Sequence, residues 1–379
     1  MVYSDVSSLQ TSRSGVKRFI IGSAAFLAAA GLAGSASAAP VESLLYSFSG
    51  GTDGAVPVAG LIFDGHGALY GTTEVGGDGN VANPSHGTVF KLTPPAPGKA
   101  QWTESVLYRF KGGADGNFPV AGLTIDSTGA LYGTTSGGLG SYGTVFKLTP
   151  PVPPATNWTE TVLYSFKGGT DGFAPYAGLI FDSTGALYGT TAYGGTPYLN
   201  YGTVFKLTPP AAGTTQWTEK VLYRFQAGTD GAHPHAGLIF DANGALYGTT
   251  YGLGTVGTVF KLTPPAPGKA QWTETTLYTS KGRPDIERLD AGLIFDAKGA
   301  LYSTTFYGGT IGAGTVFKVT PPAPGKSQWT ETVLYSFDGR TGGYSPTAGL
   351  VLDAQGVLYG TTFAGGMTTN AGTVFKLKQ

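Results

Sequence analysis

A single short pattern recurs six times along this chain with very little variation. In its first copy, Leu-Tyr-Gly-Thr-Thr at residues 69–73 is followed by a glycine-rich segment and then by Gly-Thr-Val-Phe-Lys-Leu-Thr at residues 87–93. Successive copies of its tyrosine are 55 to 62 residues apart, so one repeat is about 58 residues long. Such regularity indicates an architecture in which each repeat is one supersecondary unit packed on its neighbours.

Within each period, apolar and β-branched residues alternate in short runs that Gly and Pro interrupt. This alternation is typical of strands, and no repeat shows helical spacing. Aligning the copies predicts four antiparallel strands per period. In the first copy they cover Ala59–Asp64, Ala68–Thr73, Gly87–Thr93 and Gln101–Phe110.

The two ends of the chain complement each other. The sixth copy stops at Gln379 after its third strand, whereas Val41–Phe48 resembles a solitary fourth strand. We therefore predict an all-β fold, a six-bladed β-propeller with four antiparallel strands per blade. The ring is predicted to be closed by the N-terminal strand joining the last blade, and residues 39–379 are predicted to form a single domain.

The first 38 residues have the features of a secretory signal peptide. Three basic residues precede an apolar run from Phe19 to Leu32, and Ala36-Ser37-Ala38 supplies a small-residue cleavage pattern. The run is too short for a membrane span, which needs roughly 20 residues. We expect cleavage after Ala38, no stable membrane span afterwards, and a secreted or periplasmic protein.

Charge and cysteine content exclude several classes of protein. Without residues 1–38 the chain has 20 basic and 22 acidic side chains, so it lacks the basic field that nucleic-acid binding requires. It has no cysteine, which excludes disulfides and thiolate metal sites. Two matches to the dinucleotide-binding pattern lead into strands instead of helices, so no cofactor is expected.

We expect the protein to be a monomer.

Two acidic patterns are interpreted as turns and not as catalytic or metal sites. An Asp ends each predicted first strand and is followed three residues later by Gly, as Asp64 is by Gly67, which is typical of a type I turn. Asp-Gly pairs such as Asp53-Gly54 offer one ligand each, fewer than a calcium loop needs. A zinc site at His233 and His235 would require a third ligand from another blade, so no metal is expected.

The Gly-Ala-Leu-Tyr-Gly-Thr-Thr, Gly-Gly and Gly-Thr-Val-Phe-Lys-Leu pattern resembles the GloVer tandem repeat of exported bacterial proteins, often called choice-of-anchor repeat proteins. The resemblance covers nearly all of residues 41–379 and occurs six times. It implies tandem repeats and an extracytoplasmic location. It brings no catalytic residues with it.

Variation between the copies predicts a ligand site at one mouth of the ring. The loops between second and third strands differ in length and carry aromatic side chains, and one variable residue precedes each inner strand. Loops accept change where strands do not, although unconstrained drift would give the same pattern. The fifth copy adds a charge cluster beside the histidines of the fourth. The predicted ligand-binding residues are Tyr176, His233, His235, Tyr251, Asp285, Arg288 and Asp290.

Three functions fit this pattern. The first is an exported binding or interaction propeller whose ligand is a glycan or other cell-wall or extracellular polysaccharide. The second is a propeller enzyme, a polysaccharide lyase or hydrolase, although no catalytic residues stand out in the sequence. The third is a structural cell-surface component. Fold alone does not choose between them.

Overall fold

The computed structural model describes residues 45–77, 86–99, 101–138, 140–198, 200–252, 257–282, 285–339, 342–365 and 373–378. They belong to one compact unit that begins at Leu45. Its regular structure is β-strand except for two 3₁₀ helices, Gly113–Asp115 and Gly169–Asp171, and the described residues contain no α-helix. The all-β prediction is confirmed. The predicted signal peptide lies outside the described residues.

Six antiparallel sheets follow one another along the chain as the blades of a six-bladed β-propeller. Strands pair in sequence order within each sheet, so each blade is a meander from an inner to an outer strand. Blades one to five each have four described strands, and blade six has three. In blade five, two further short strands pair with each other.

The strand bounds repeat from blade to blade. Inner strands are β1 (Ile62–Phe63), β5 (Thr124–Ile125), β9 (Ile180–Phe181), β13 (Ile239–Phe240), β18 (Ile294–Phe295) and β23 (Val351–Leu352). Second strands are β2 (Leu69–Thr73), β6 (Leu131–Thr135), β10 (Leu187–Thr191), β14 (Leu246–Thr249), β19 (Leu301–Thr305) and β24 (Val357–Thr362). Third strands are β3 (Thr88–Thr93), β7 (Thr144–Thr149), β11 (Thr203–Thr208), β15 (Thr258–Thr263), β21 (Thr315–Thr320) and β25 (Thr373–Lys378). Outer strands are β4 (Thr103–Arg109), β8 (Thr159–Ser165), β12 (Thr218–Arg224), β16 (Thr273–Thr279) and β22 (Thr330–Ser336), and the extra pair in blade five is β17 (Ile286–Glu287) and β20 (Tyr307–Gly308).

The inner strands are shorter than predicted, and the alanines at which they were predicted to begin make contacts between blades. The Thr72 hydroxyl of blade one donates to the Ala121 carbonyl of blade two over 3.2 Å. Thr134 does the same to Ala177 of blade three over 3.2 Å. These carbonyls begin the predicted inner strands. The inner strands begin three residues after these alanines, in blade one as in the other blades.

The predicted Asp turn is confirmed and joins the inner to the second strand. The Asp64 carboxylate accepts hydrogen bonds from the backbone N–H groups of His66, at 2.8 Å, and Ala68, at 2.9 Å. Gly67 completes the turn at φ 87°, a left-handed conformation that favours glycine. The same Asp also accepts a hydrogen bond from the Tyr70 hydroxyl. These aspartates are turn residues.

Apolar side chains of consecutive blades interlock at every junction from blade one to blade six. A phenylalanine that follows each of four outer strands packs edge-on against the phenylalanine of the next third strand, as Phe166 does against Phe205 at 5.2 Å. Edge-to-face pairs of this kind add stability beyond the area that they bury. The core is therefore a series of seams between blades and not one central cluster.

Closure of the ring by the N-terminal strand is not confirmed. Residues 41–44 of that predicted strand lie outside the described residues. Leu45, Tyr46 and Phe48 pack against blade one around Phe90, where an outer strand of blade six would lie. These three residues form no ladder with β25. Among the described residues, no strand pairs with the outer edge of β25.

Candidate functional site

In each blade, a residue in the loop that leads to the inner strand has a left-handed backbone conformation. This conformation is uncommon for residues other than glycine. Each of the six residues has φ between 54° and 60°. Such left-handed residues cost free energy and persist where the surroundings hold them. His233 shows how they are held: its N–H donates to the Tyr201 carbonyl of blade three, and its own carbonyl accepts from Tyr251. The six residues are Val56, Phe118, Ala174, His233, Arg288 and Ser345.

In blades three, four and five, the residue two places after the left-handed residue lies near its counterpart in the next blade. Tyr176 of blade three and His235 of blade four have ring centroids 5.2 Å apart. Nδ1 of His235 lies 3.7 Å from Oδ1 of Asp290 in blade five, too far for a hydrogen bond. The predicted row of variable residues therefore does meet across three blades.

A stack of aromatic and guanidinium groups holds this row in place. The imidazole of His235 lies parallel to the ring of Tyr251, with centroids 4.9 Å apart and planes 8° apart. The guanidinium of Arg288 lies 4.9 Å from the same tyrosine ring and 4.1 Å from that of Phe306. Its Nε donates to Oδ2 of Asp290 over 2.7 Å. We call Tyr176, His235, Tyr251, Arg288 and Asp290 the mouth cluster.

The mouth cluster has almost no net charge near neutral pH. Burial, reinforced by the nearby His233 and Arg288, lowers the pKa of His235 to about 4, so its imidazole is neutral. Burial raises the pKa of Asp290, whereas its bond to Arg288 opposes that change. The contact between His235 and Asp290 is thus one between a neutral ring and a carboxylate. One positive and one negative charge, on Arg288 and Asp290, offset each other.

Two polar atoms of the cluster have no hydrogen-bond partner among the described residues. They are Nε2 of His235 and Oδ1 of Asp290, and both are buried. A buried polar atom without a partner costs about 1–3 kcal/mol, so most such atoms are satisfied by protein, water or ligand. A hydroxyl group can both donate to a carboxylate and bond to an imidazole nitrogen. Each of these two atoms has room in its bonding for a hydrogen bond to a hydroxyl group.

His233 and Asp285, the other two predicted ligand-binding residues, lie elsewhere. His233 is 7% exposed, its Nδ1 lies 3.0 Å from the Ala192 carbonyl, and its ring packs against Tyr193. Asp285 accepts hydrogen bonds from the Tyr278 hydroxyl and the Lys281 N–H. Asp230 has the same two kinds of contact in the preceding blade. Both residues support loops and do not join the mouth cluster.

Phe306 and Tyr307 are not among the predicted ligand-binding residues, although both contact Arg288. Tyr307 lies in β20, which pairs with Glu287 of β17 next to that arginine. The aromatic residues of this loop were visible in the sequence. Their contact with Arg288 accompanies the pairing of β17 with β20. This pairing is absent from the repeat pattern, so the sequence does not indicate it.

A separate cavity of about 520 Å³ lies on the outer rim between blades two and three. It is lined by Tyr164 and Lys167 of blade two and by Gln216 and Trp217 of blade three. Among the described residues, no group of three or more His, Asp or Glu side chains is placed to hold a metal ion. None of the described segments forms a helix with the length and hydropathy needed to cross a membrane.

Comparison with known families agrees with the repeat pattern. A family model described as the Gloeobacter/Verrucomicrobia repeat matches residues 35–256 and 252–379. The two matches together span nearly all of the predicted propeller, so the resemblance seen in the sequence is confirmed. No curated protein matches the chain.

Proposed function

The chain belongs to the Gloeobacter/Verrucomicrobia repeat family, and we propose that it is an exported interaction propeller whose mouth cluster binds a neutral or weakly charged glycan. The family and the fold support an interaction or structural propeller. The observation that supports a glycan site is the unpartnered pair, His235 Nε2 and Asp290 Oδ1, beside the aromatic rings of Tyr176 and Tyr251. Sugars present both hydroxyl groups and apolar ring faces, which match these two features.

The charge of the cluster argues for a neutral ligand. The positive charge of Arg288 is offset by Asp290, to which its Nε donates, so the cluster has no surplus positive charge for a carboxylate or sulfate. His235 is neutral near pH 7 because burial lowers its pKa to about 4. A polyanionic glycan would bring charge into a site that has nothing left to balance it.

Single substitutions at the mouth are expected to weaken binding. Asp290→Asn or His235→Ala removes one hydrogen bond to the ligand, a loss of about 0.5–1.5 kcal/mol or roughly 2- to 12-fold in Kd. The measurement is calorimetric titration with a panel of neutral β-glucan, α-glucan and galactomannan, with polygalacturonate as the charged comparison. Val58→Ala is the matched control, because Val58 occupies the same repeat position in blade one.

Binding of a neutral glycan that is unchanged in both mouth variants would contradict the proposed site. So would a preference for polygalacturonate. Lys269→Ala, in the loop between β15 and β16, is the control for the rest of the surface. If this variant alone loses binding, the ligand occupies the other face of the propeller.

One observation favours an enzyme as the second candidate function. His235 has one ring nitrogen facing a carboxylate and the other without a partner. A general base is often oriented in this way. Release of reducing ends or unsaturated products from the same polysaccharides, lost in His235→Ala, would support the enzyme over the binding protein.

Export is part of this proposal and has its own test. We expect the mature protein to begin at Ala39 and to be recovered outside the cytoplasm. Intact-mass measurement of the secreted or periplasmic protein determines the N-terminus. Exported protein that retains residues 1–38, or protein found only in the cytoplasm, would contradict export by cleavage of the signal peptide.

A further inference from the structure

In the part of the chain that the structure describes, the first and last blades each have one face that no other blade covers. On blade one, Phe63 is 67% exposed. On blade six, Val374 is 78% exposed and Val351 is 65% exposed. Large contiguous apolar patches on soluble proteins usually mark an interaction site. The neighbouring side chains Leu61, Tyr359 and Phe363 are also exposed.

The same positions are covered at every internal junction. The valines equivalent to Val374 are 0% exposed in all five other blades. Tyr132 of blade two packs edge-on against Phe181 of blade three at 5.0 Å, and Tyr188 packs against Phe240 of blade four at 5.1 Å. By the repeat, Tyr359 is the counterpart of those tyrosines, and Phe63 is the counterpart of those phenylalanines. The two uncovered faces are therefore complementary halves of the junction that is formed five times inside the chain.

The hydrogen bonds agree with this complementarity. At each internal junction, a second-strand threonine hydroxyl donates to an alanine carbonyl of the next blade, over 3.2 to 3.4 Å. Thr361 of blade six and Ala59 of blade one hold the equivalent positions. Thr361 is exposed, and no hydrogen bond joins it to Ala59. The outer edge of β25 also lacks a described partner strand.

The two faces do not cover each other within one chain, as the exposure of Phe63 and Val374 shows. The central side chains of the internal junctions, such as Val145, Phe146 and Leu187, are fully buried. Close-packed interiors resist deformation, so these seams determine the angle between consecutive blades. With all five seams formed, blade six still does not reach blade one. A second molecule can cover both faces without disturbing any seam.

We propose that a second copy of this chain covers these faces, with blade six of one copy seated on blade one of the next. The interface is heterologous, because it joins two different surfaces of identical chains. It repeats the contacts of the internal junctions, with Tyr359 against Phe63 and the Thr361 hydroxyl on the Ala59 carbonyl. Leu45, Tyr46 and Phe48 lie on blade one, where they extend the face that receives the partner.

Two single-cysteine variants test this arrangement, since the natural chain has no cysteine. Phe63→Cys protein is mixed with Tyr359→Cys protein and treated with a short bis-maleimide. We expect a cross-linked pair containing one chain of each kind, and little product from either variant alone. The double variant decides the alternative: an intramolecular cross-link in a monomer would overturn the proposal and show closure within one chain.

Light scattering of the unmodified protein gives an independent readout. We expect the apparent mass to rise with concentration above that of one chain, and Phe63→Glu or Val374→Glu to return it to the monomer. Both changes are at exposed positions, so folding should be retained. Tyr198→Glu, at a loop residue that is 92% exposed, is the matched control and should still associate. A wild-type mass equal to one chain at all concentrations would contradict the proposal.

Discussion

Replacing Phe166 with alanine is expected to lower the free energy of unfolding by about 3–5 kcal/mol, the usual cost of removing a large buried aromatic side chain. Phe166 is 4% exposed and packs edge-on against Phe205 across the seam between blades two and three. Denaturant unfolding measures the loss. Because this loss is a large part of the stability of a typical domain, roughly 5–15 kcal/mol, partial unfolding is also expected.

Two further variants separate the effect of the seam from a general effect of lost volume. Phe166→Leu keeps much of the apolar volume and should cost less than half as much as the alanine change. Phe48→Ala removes the equivalent ring at the uncovered end, where Phe48 packs against Phe90 at 4.9 Å but is itself only partly buried. Phe48→Ala should therefore lower the free energy of unfolding by less than Phe166→Ala does. Equal costs for Phe48→Ala and Phe166→Ala would contradict the described difference between the end and the internal seams.

Stability is expected to fall as the pH rises from about 5 to about 8. Burial, together with a neighbouring aspartate in each case, raises the pKa of four outer-strand glutamates from 4.5 to about 7. The folded state then binds protons that the unfolded state has lost, so stability decreases with pH across this window. A shift of this size corresponds to about 3 kcal/mol per group, which solvent screening reduces to roughly 1 kcal/mol. The four residues are Glu104, Glu160, Glu219 and Glu331.

The structural basis of this pH effect is a repeated carboxyl pair at the rim. Tyr164 donates to the Asp171 carboxylate over 2.7 Å, and Glu219 of the next blade lies beside that aspartate. Raising the pH ionises the glutamate and sets two negative charges against each other. Replacing all four glutamates by glutamine should remove most of the decline, and Glu219→Gln alone should reduce it by less than a quarter. Burial also raises the pKa of Glu274, so this fifth glutamate retains part of the decline.

Denaturant midpoints measured from pH 5 to pH 8 check the prediction.

Below about pH 4, stability is expected to fall as the pH falls. Although burial opposes the change, hydrogen bonds from Thr128, Ala130 and Tyr132 lower the pKa of the Asp126 carboxyl, so its contribution is lost as the pH falls below about 4. We therefore expect maximal stability near pH 4–5. Stability that rises steadily from pH 5 to pH 8 would contradict the raised glutamate pKa values.

The repeat made most of this fold predictable. Six copies of one strand pattern determine the number of blades, the Asp64 type of turn and the pairing of strands, because every copy must satisfy the same hydrogen bonds and bury the same face. The predicted length of the inner strand was wrong. Its first carbonyl, at Ala121 for example, bonds to Thr72 of the preceding blade, and contacts between blades cannot be read from one copy.

The site was predictable in part for the same reason. A variable position repeated before each inner strand had to bring Tyr176, His235 and Asp290 to one mouth. His233 is only two residues away in sequence, but its Nδ1 lies 3.0 Å from the Ala192 carbonyl and its ring packs against Tyr193. Asp285 looked distinctive because the fifth copy lacks an Asp-Gly pair, yet its contact with Tyr278 is that of an ordinary turn aspartate. Complementary chain ends likewise predicted closure of the ring, which the structure does not confirm.

The most direct test of the mouth cluster as a ligand site is the nitrogen NMR spectrum of its imidazole. The chain has only four histidines, so substitution can assign each signal. We expect His235 to remain neutral until the pH approaches about 4. Its Nε2 signal should shift when a bound neutral glycan is added, whereas that of His66, on a turn at the other end of the blade, should not. A His235 ring that protonates near pH 6.5, or that keeps its signal when the glycan is bound, would contradict the account.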